Sequence, residues 1–248
     1  MAMQGIIDGG RYRVIEVLRG GLGYKACLCN DVTRNDDYAP LLFNIYSGKD
    51  EIRLFLPLYY AMKDSGYHDF VRLVTSDGCV CAVFNYHSGE RFGTFFESHP
   101  KERFEEKLTY ADRLLAAALE TDMLDEALVN GALSEENAVV DEKDFSVHFN
   151  VLAPPCALAK KGFRAQRLGK MLGMIFCPDR YLPAEITDFI ESLESSDAGC
   201  VEIYSMWRRV REQAVETRKA YEKESYTQYL ARKAKDKKRR LLNKKNEQ

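Results

Sequence analysis

No apolar run in the 248-residue chain approaches the roughly 18 residues that a membrane-crossing helix needs. The opening MAMQGIIDGGRYR lacks a basic region followed by an apolar stretch, so no signal peptide is expected. These two absences make a soluble cytoplasmic protein the expectation. Histidine is scarce, with four residues scattered at no ligand or triad spacing. The seven cysteines are an odd count without a secretion signal, which argues for reduced thiols rather than a disulfide framework. Cys27 and Cys29, and Cys79 and Cys81, form two C-x-C pairs that invite a zinc reading. Structural zinc sites, however, usually space their cysteines C-x-x-C on a turn. Residues two apart in a strand share a face, so each pair reads more simply as two small side chains packed on a sheet. No metal ion is expected, and there is no internal repeat.

What is present fits a packed globular chain: 46% hydrophobic and 11% aromatic residues. The length suits one two-lobed domain or two small ones. The net charge of −2 conceals an asymmetry. Arg208–Gln248 carries 15 basic and 6 acidic residues, whereas the preceding 207 residues carry 21 basic and 32 acidic ones. A segment of such opposite sign often has its own partner.

Periodicity divides the chain into a β-rich part and a helical part. Arg11–Leu18, Tyr24–Asn30 and Tyr38–Tyr46 read as strands, with a GGLG turn at Gly20–Gly23. Asp50–Ser65 reads as a helix that Pro57 must begin, kink or interrupt. Phe70–Thr75 and Cys79–Tyr86 are strands joined by Ser76-Asp77-Gly78. Lys101–Thr121 then carries a helical stripe of Phe104, Leu108, Ala111, Leu115, Ala118 and Leu119. Ala138–Val140 and Phe145–Leu152 form a short strand pair, and Phe163–Phe176, Pro183–Leu193 and Val201–Val215 are further helices.

A small β-rich lobe with one helix, followed by a helical lobe, resembles the protein-kinase fold. LRGGLGYKAC at Leu18–Cys27 is similar to the glycine-rich loop and second strand, in shortened form. FVRLV at Phe70–Val74 resembles the fourth strand, and CVCAVFNYHSGERF at Cys79–Phe92 the fifth strand, hinge and next helix start. NGALSEENAVV at Asn130–Val140 resembles the catalytic-loop pattern H-(R/G)-D-L-x-x-x-N and its apolar strand. These matches run in order over roughly residues 11–195. The resemblance implies an α+β, two-lobed kinase-like fold over residues 1–217, with an N-lobe of about 8–90 and a C-lobe of about 91–217. Residues 218–248 form an extended basic helical tail.

Kinase chemistry needs particular charges at particular places, and the resemblance implies that they are missing. Gly20, Gly21 and Gly23 are vestiges of the glycine-rich loop, with Arg19 where its first glycine is expected. The third-strand lysine is replaced by Phe43 or Asn44, depending on a one-residue register choice. FLPLYYAMK at Phe55–Lys63 offers no glutamate partner. Asn130 replaces the loop histidine and Ala132 the catalytic base. Asn137 keeps the metal-holding asparagine position, and Asn150 stands where the metal-binding aspartate of D-F-G should lie. Only about twelve residues, including Pro154-Pro155 and Lys160-Lys161, remain for the activation segment.

The expectation is therefore a bacterial-type pseudokinase that binds neither nucleotide nor other cofactor and acts as a scaffold or regulatory module. Its cleft is expected to be repacked by Phe43, Phe84, Val139 and Phe149. A protein partner is expected, with the tail Arg218–Gln248 as a candidate contact and no specific nucleic acid. Two rival readings are an atypical phosphotransferase using Glu135, Glu136, Asp141 or Asp144, and non-specific nucleic-acid binding through Lys233–Lys245.

Overall fold

The computed structural model describes residues 6–33, 39–76, 78–99, 103–141, 143–156, 164–177, 179, 181–221, 223–224, 227–235 and 238. Tyr38, Asp77, Lys101, Lys160, Lys161, Phe163 and the end of the basic tail lie outside the described residues.

The first lobe is β-rich. Strands β1 (Ile6–Ile7), β2 (Tyr12–Gly21), β3 (Tyr24–Asp31) and β4 (Leu41–Tyr46) precede helix α1 (Lys49–Met62), and β5 (Phe70–Ser76) and β6 (Cys79–Asn85) follow it. They form one antiparallel sheet in the order β1-β2-β3-β4-β6-β5. Strand alternation gives this sheet two working faces. Tyr24, Ala26, Leu28, Leu42, Tyr46, Ala82 and Phe84 join the core shared with the second lobe. Cys27, Cys29, Leu41, Phe43, Cys81 and Val83 point the other way, into a second core with Tyr12 and Val74.

The sheet curls over that second core. Arg72 of β5 pairs with Asp8 at 2.9 Å, and its guanidinium lies 4.9 Å above the Tyr12 ring, which ties one sheet edge to the other. Two register shifts in β2, at Val14/Glu16 and Val17/Arg19, are consistent with the bending. Both C-x-C pairs thus lie on strands, as expected, and all seven thiols are free. Burial disfavours the thiolates of Cys27, Cys29, Cys81 and Cys200 and pushes Cys81 up to about 12.

Helix α1 runs through Pro57 without breaking. The proline forfeits the hydrogen bond to the Arg53 carbonyl, but both residues are exposed, so water can serve that oxygen. Phe55, Tyr59 and Met62 recur at helical spacing and anchor the opposite face in the core.

The second lobe is mainly helical. It comprises β7 (Glu90–Arg91), α2 (Phe92–Ser98), α3 (Phe104–Glu120), α4 (Glu126–Ala132), β8 (Ala138–Asp141), β9 (Ser146–Phe149), α5 (Arg164–Phe176), α6 (Ala184–Leu193) and α7 (Cys200–Tyr221). The strands form a small sheet, β7-β8-β9. Phe104, Leu108, Ala111, Leu115 and Ala118 of α3 are buried as the stripe implied, with Leu119 packed at its margin. Helix α4 was not foreseen. Its N-cap Asp125 accepts from the Ala127 amide at 2.9 Å.

Helix α7 docks through Ile203, Trp207 and Ala214. The buried Trp207 indole donates to Asp112 at 2.7 Å, and Arg211 donates to the other oxygen of Asp112 at 2.9 Å. The helix continues without interruption past Thr217. Arg218 then inserts its guanidinium against Asp179 at 2.8 Å and lies 4.9 Å over the Phe104 ring. Residues 227–235 are helical again. Arg232 stacks 3.5 Å over Tyr221 and pairs with Glu224, while Tyr229 meets Tyr181 at 6.1 Å, so this part of the tail folds back. Among the described residues, no helix is long and apolar enough to cross a membrane.

The Arg218–Asp179 pair is 15% and 12% exposed, so removing the arginine leaves a nearly buried carboxylate unpaired. A chain ending at Thr217 should still fold, but lose about 3 kcal/mol in urea unfolding relative to the full chain. A chain ending at Glu224 keeps Arg218 and should lose markedly less. Equal midpoints for the two truncations would contradict this anchoring role.

Candidate functional site

The seam between the lobes is built where the core-facing sides of β3, β4 and β6 meet the chain just after β9. Asn44, not Phe43, faces this seam. It lies opposite Ala26 on β3 and Ala82 on β6. Phe43 packs 4.8 Å from Tyr12 in the curl of the sheet, so the expected cleft filling by Phe43 is corrected. A one-residue slip in register exchanges the two faces of a strand, and the pairing with β3 settles which residue points inward. Phe84 and Phe149 do lie in the shared core, and Val139 is buried outside it.

The Asn44 side chain is fully buried and hydrogen-bonded at both ends. Its Nδ2 donates to the Val151 carbonyl at 2.7 Å. Its Oδ1 accepts from the Tyr24 hydroxyl at 2.7 Å and from the Ala153 amide at 3.1 Å. Beside it, the Tyr46 hydroxyl donates to the Ala153 carbonyl at 2.7 Å. A carbonyl can only accept, so the 2.7 Å contact between Tyr46 and Tyr59 requires Tyr59 to donate to Tyr46. Phe55 stacks on Tyr46 with centroids 4.2 Å apart. Burial pushes the Tyr24, Tyr46 and Tyr59 hydroxyls above their ordinary range, so all three stay neutral. This part of the seam is thus an uncharged hydrogen-bond network.

The catalytic-loop resemblance falls on the last turn of α4 and the turn after it. Asn130, Gly131 and Ala132 are helical and buried. Gly131 allows close packing against the seam, because a Cβ there would lie 2.5 Å from the Leu152 carbonyl oxygen. The Asn137 side-chain Nδ2 donates to the Gly131 carbonyl, a turn-bridging role, while its Oδ1 is buried without a hydrogen-bond partner. Arg167 of α5 donates to the carbonyls of Asn130 and Leu133 and so holds the turn from below.

Asn150 follows β9, and its backbone amide bonds the Asn137 carbonyl at 2.9 Å. Its side chain turns instead to the hinge-like segment. There Asn150 Oδ1 accepts from the His87 amide at 2.9 Å, and Nδ2 donates to the His87 carbonyl at 3.0 Å. The two asparagine side chains therefore do not converge on one point. Instead, Asn150 occupies both backbone hydrogen-bonding groups of His87. Gly20, Gly21 and Gly23 form the end of the β2–β3 hairpin: Gly20 and Gly21 pair with Lys25 and Tyr24, and Gly23 takes φ 72° in the two-residue turn. Arg19 reaches across to Glu136 at 2.7 Å and pins this hairpin to the turn.

Below the hairpin lies a cavity of about 470 Å³, lined in part by Asn130, Glu135, Glu136, Asn137, Arg167 and Lys170. Its acids are engaged: Glu135 pairs with Lys170 at 2.7 Å, and Glu136 pairs with Arg19. Asp141 and Asp144 accept from backbone amides in the β8–β9 turn. Among the described residues, no group of three or more His, Cys, Asp or Glu side chains is placed to hold a metal ion. Sequence spacing did not reveal the tyrosine network or the role of Arg167. Its one usable hint was the alternation that puts residues 24, 26, 44 and 46 on one face.

Tyr46→Phe should orphan the Ala153 carbonyl and the Tyr59 hydroxyl, costing about 1–3 kcal/mol by urea unfolding. Tyr60, on the outer face of α1 and 64% exposed, provides the control: Tyr60→Phe should change stability by less than about 0.5 kcal/mol. Asn150→Ala, which frees both His87 groups, should cost on the order of 1–3 kcal/mol. Equal effects of the two tyrosine changes would remove the seam network from the account.

No protein-family model and no curated protein sequence matches the chain. Among solved structures, it is similar to the PknI kinase domain of Mycobacterium tuberculosis, seen in two double-mutant crystal structures. One superimposes with a TM-score of 0.55 at 12% identity, covering 86% of this chain and 100% of that one. The other gives 0.57 at 11% identity, covering 85% and 99%. At such low identity the likeness is one of architecture: this chain has a protein-kinase-like fold, with a β-rich first lobe and a helical second lobe.

Proposed function

We propose that this chain is a catalytically inactive kinase-like domain that works as a protein-interaction or scaffold module. The observation that carries the proposal is the state of the seam. Ala26, Leu42, Asn44, Ala82, Phe84 and Ala153 all have zero exposure, closed over by the chain's own atoms. A nucleotide would have to displace contacts that the protein already makes with itself. It would find no lysine on β4 and no carboxylate at position 150. Phosphoryl transfer depends on positioned metal ions and charges, and an asparagine amide bound to His87 supplies neither.

The rival phosphotransferase reading needs a free acid. Glu135 and Glu136 are held in ion pairs, and Asp141 and Asp144 in turn hydrogen bonds. Each is tied at one carboxylate oxygen to the chain's own residues, and among the described residues none lies in a group of three or more placed to hold a metal ion, which disfavours that reading.

The tail is the candidate partner contact. Residues 218–248 carry 12 basic and 4 acidic side chains. Lys233, Lys235 and Lys238 are exposed. An acidic protein surface would complement them and would bind less tightly as salt rises. Residues 1–217 are proposed as the domain and 218–248 as its basic extension.

ATP with Mg²⁺ should produce no rise in melting temperature and no phosphate transfer to the chain or to a generic acceptor protein. A ligand at about 100 times its Kd would add about 2.7 kcal/mol, a shift of several degrees. Such a shift with ATP·Mg²⁺ but not with Mg²⁺ alone would overturn the exclusion of nucleotide. Transfer that disappears in Asn137→Ala or Asn150→Ala would overturn the inactive assignment.

A further inference from the structure

Three of the four histidines meet at the hinge end of the seam, far apart in sequence and together in space. His87 Nε2 lies 2.9 Å from Asp69 Oδ2. A carboxylate only accepts, so His87 donates from Nε2. His68 Nε2 is 3.5 Å from the other oxygen of Asp69 and 3.8 Å from Glu120 of α3. On the opposite side of His87 lies His148 of β9. The two rings are parallel to within 4°, with centroids 4.1 Å apart. His148 Nε2 contacts the Ser146 hydroxyl at 3.0 Å. His148 stands two residues before Asn150, whose side chain holds the His87 backbone.

We propose that this stack is a proton-operated latch: with a proton on both rings at once, β9 separates from the hinge and Asn150 is released from His87. Parallel imidazoles in contact are compatible when at least one is neutral. With both charged, two cations face each other across 4.1 Å, and the one carboxylate hydrogen-bonded to the pair, Asp69, serves His87. His148 lies on β9, two residues before Asn150, so a shift of the end of β9 that parts the rings carries Asn150 with it.

The surroundings set the direction. His148 faces the His87 ring, with Asp69 beyond it, and Asp141 and Asp144 in its own hairpin; Arg113 of α3 acts in turn on Asp144. Burial lowers the His148 value below 6.5, and the His87 charge lowers it further, against the opposing pull of the three carboxylates. Burial raises the Asp69 carboxyl, but the His87 hydrogen bond and the nearby His87 and His68 charges bring it below its ordinary value. Asp69 therefore stays ionised while His148 titrates. A histidine whose folded value is depressed contributes stability above its unfolded value. That stability is lost as pH falls below about 6.5 and through the folded value. The latch is closed at neutral pH and opens as pH falls through the depressed His148 value, whatever the seam does or does not bind.

Hydrogen exchange read by mass spectrometry tests this. Peptides spanning residues 85–90 and 146–153 are compared at about pH 7.5 and about pH 5.5, with rates corrected for the intrinsic pH dependence. In the native chain, protection of these two segments should fall by about tenfold, while that of α3 is retained. His148→Phe keeps an aromatic face on His87 without a titrating proton and should abolish the difference. Unchanged protection in the native chain, or an equal fall in His148→Phe, overturns the latch. Because this variant could fail to fold, a proton NMR titration of the native chain gives an independent reading. The Asn150 side-chain amide resonances should shift together with His148 titration, and a His148 titration that leaves them in place also overturns the proposal.

Discussion

The buried amide of Asn44 is the constraint on which the joining of the two lobes depends. An asparagine side chain offers two N–H donors and an oxygen with two lone pairs. Here one donor and both lone pairs are used, by Val151, Tyr24 and Ala153. The amide thus stitches β4 to the backbone after β9, and Tyr46 adds a parallel stitch to the Ala153 carbonyl. A charged group in the same place would need an equally buried counter-charge, whose desolvation offsets much of the attraction. The network avoids that cost by being neutral. The same neutrality leaves this part of the seam without a fixed charge.

Ion pairing sits elsewhere, and its chemistry is selective. Pairs joining distant parts of the chain are repeatedly arginine with aspartate: Arg11–Asp31, Arg72–Asp8, Arg164–Asp122, Arg211–Asp112 and Arg218–Asp179, each at 2.8–2.9 Å. The planar guanidinium can donate to a carboxylate and still lie on an aromatic ring. Arg72 does so on Tyr12, and Arg218 on Phe104. Lysine pairs instead with glutamate on exposed surfaces, as in Lys219–Glu216, where the contribution to stability is small. Basic residues in the C-terminal region consequently divide into two groups. The arginines at 211, 218 and 232 hold the helix and its return turn, whereas Lys233 and Lys235 remain exposed.

Much of the architecture was legible because it rests on local periodicity. Alternation marked the strands from Tyr24 to Asn85, and the 3.6-residue stripe marked α3. The C-x-C pairs were legible for the same reason. What failed to show was decided by pairing between segments distant in sequence. Whether Phe43 or Asn44 faces the seam turns on strand register, which periodicity within β4 cannot settle because both positions are buried. Helix α4 is short and was hidden inside a motif read as a loop. Arg218 looked like the start of the basic tail, and its pairing could not be read, since its partner Asp179 is 39 residues away in sequence. The histidines looked scattered because His87 and His148 meet only when β9 packs beside the hinge.

The segment from Ser146 to Ala153 therefore has two ends of different character. At its inner end, Asn44, Tyr24, Tyr46 and Tyr59 are neutral and buried, with hydroxyls that burial keeps protonated. No proton or salt ion in the physiological range changes their bonding. At its outer end, the same strand rests on an imidazole stack beside a carboxylate, the part of the segment where a proton can act. Because Asn150 lies between the two, loosening the outer end need not unfold the inner one: the Val151 and Ala153 bonds to β4 are separate from the His87 bonds. A seam arranged this way can change its shape at the hinge while the lobes stay joined.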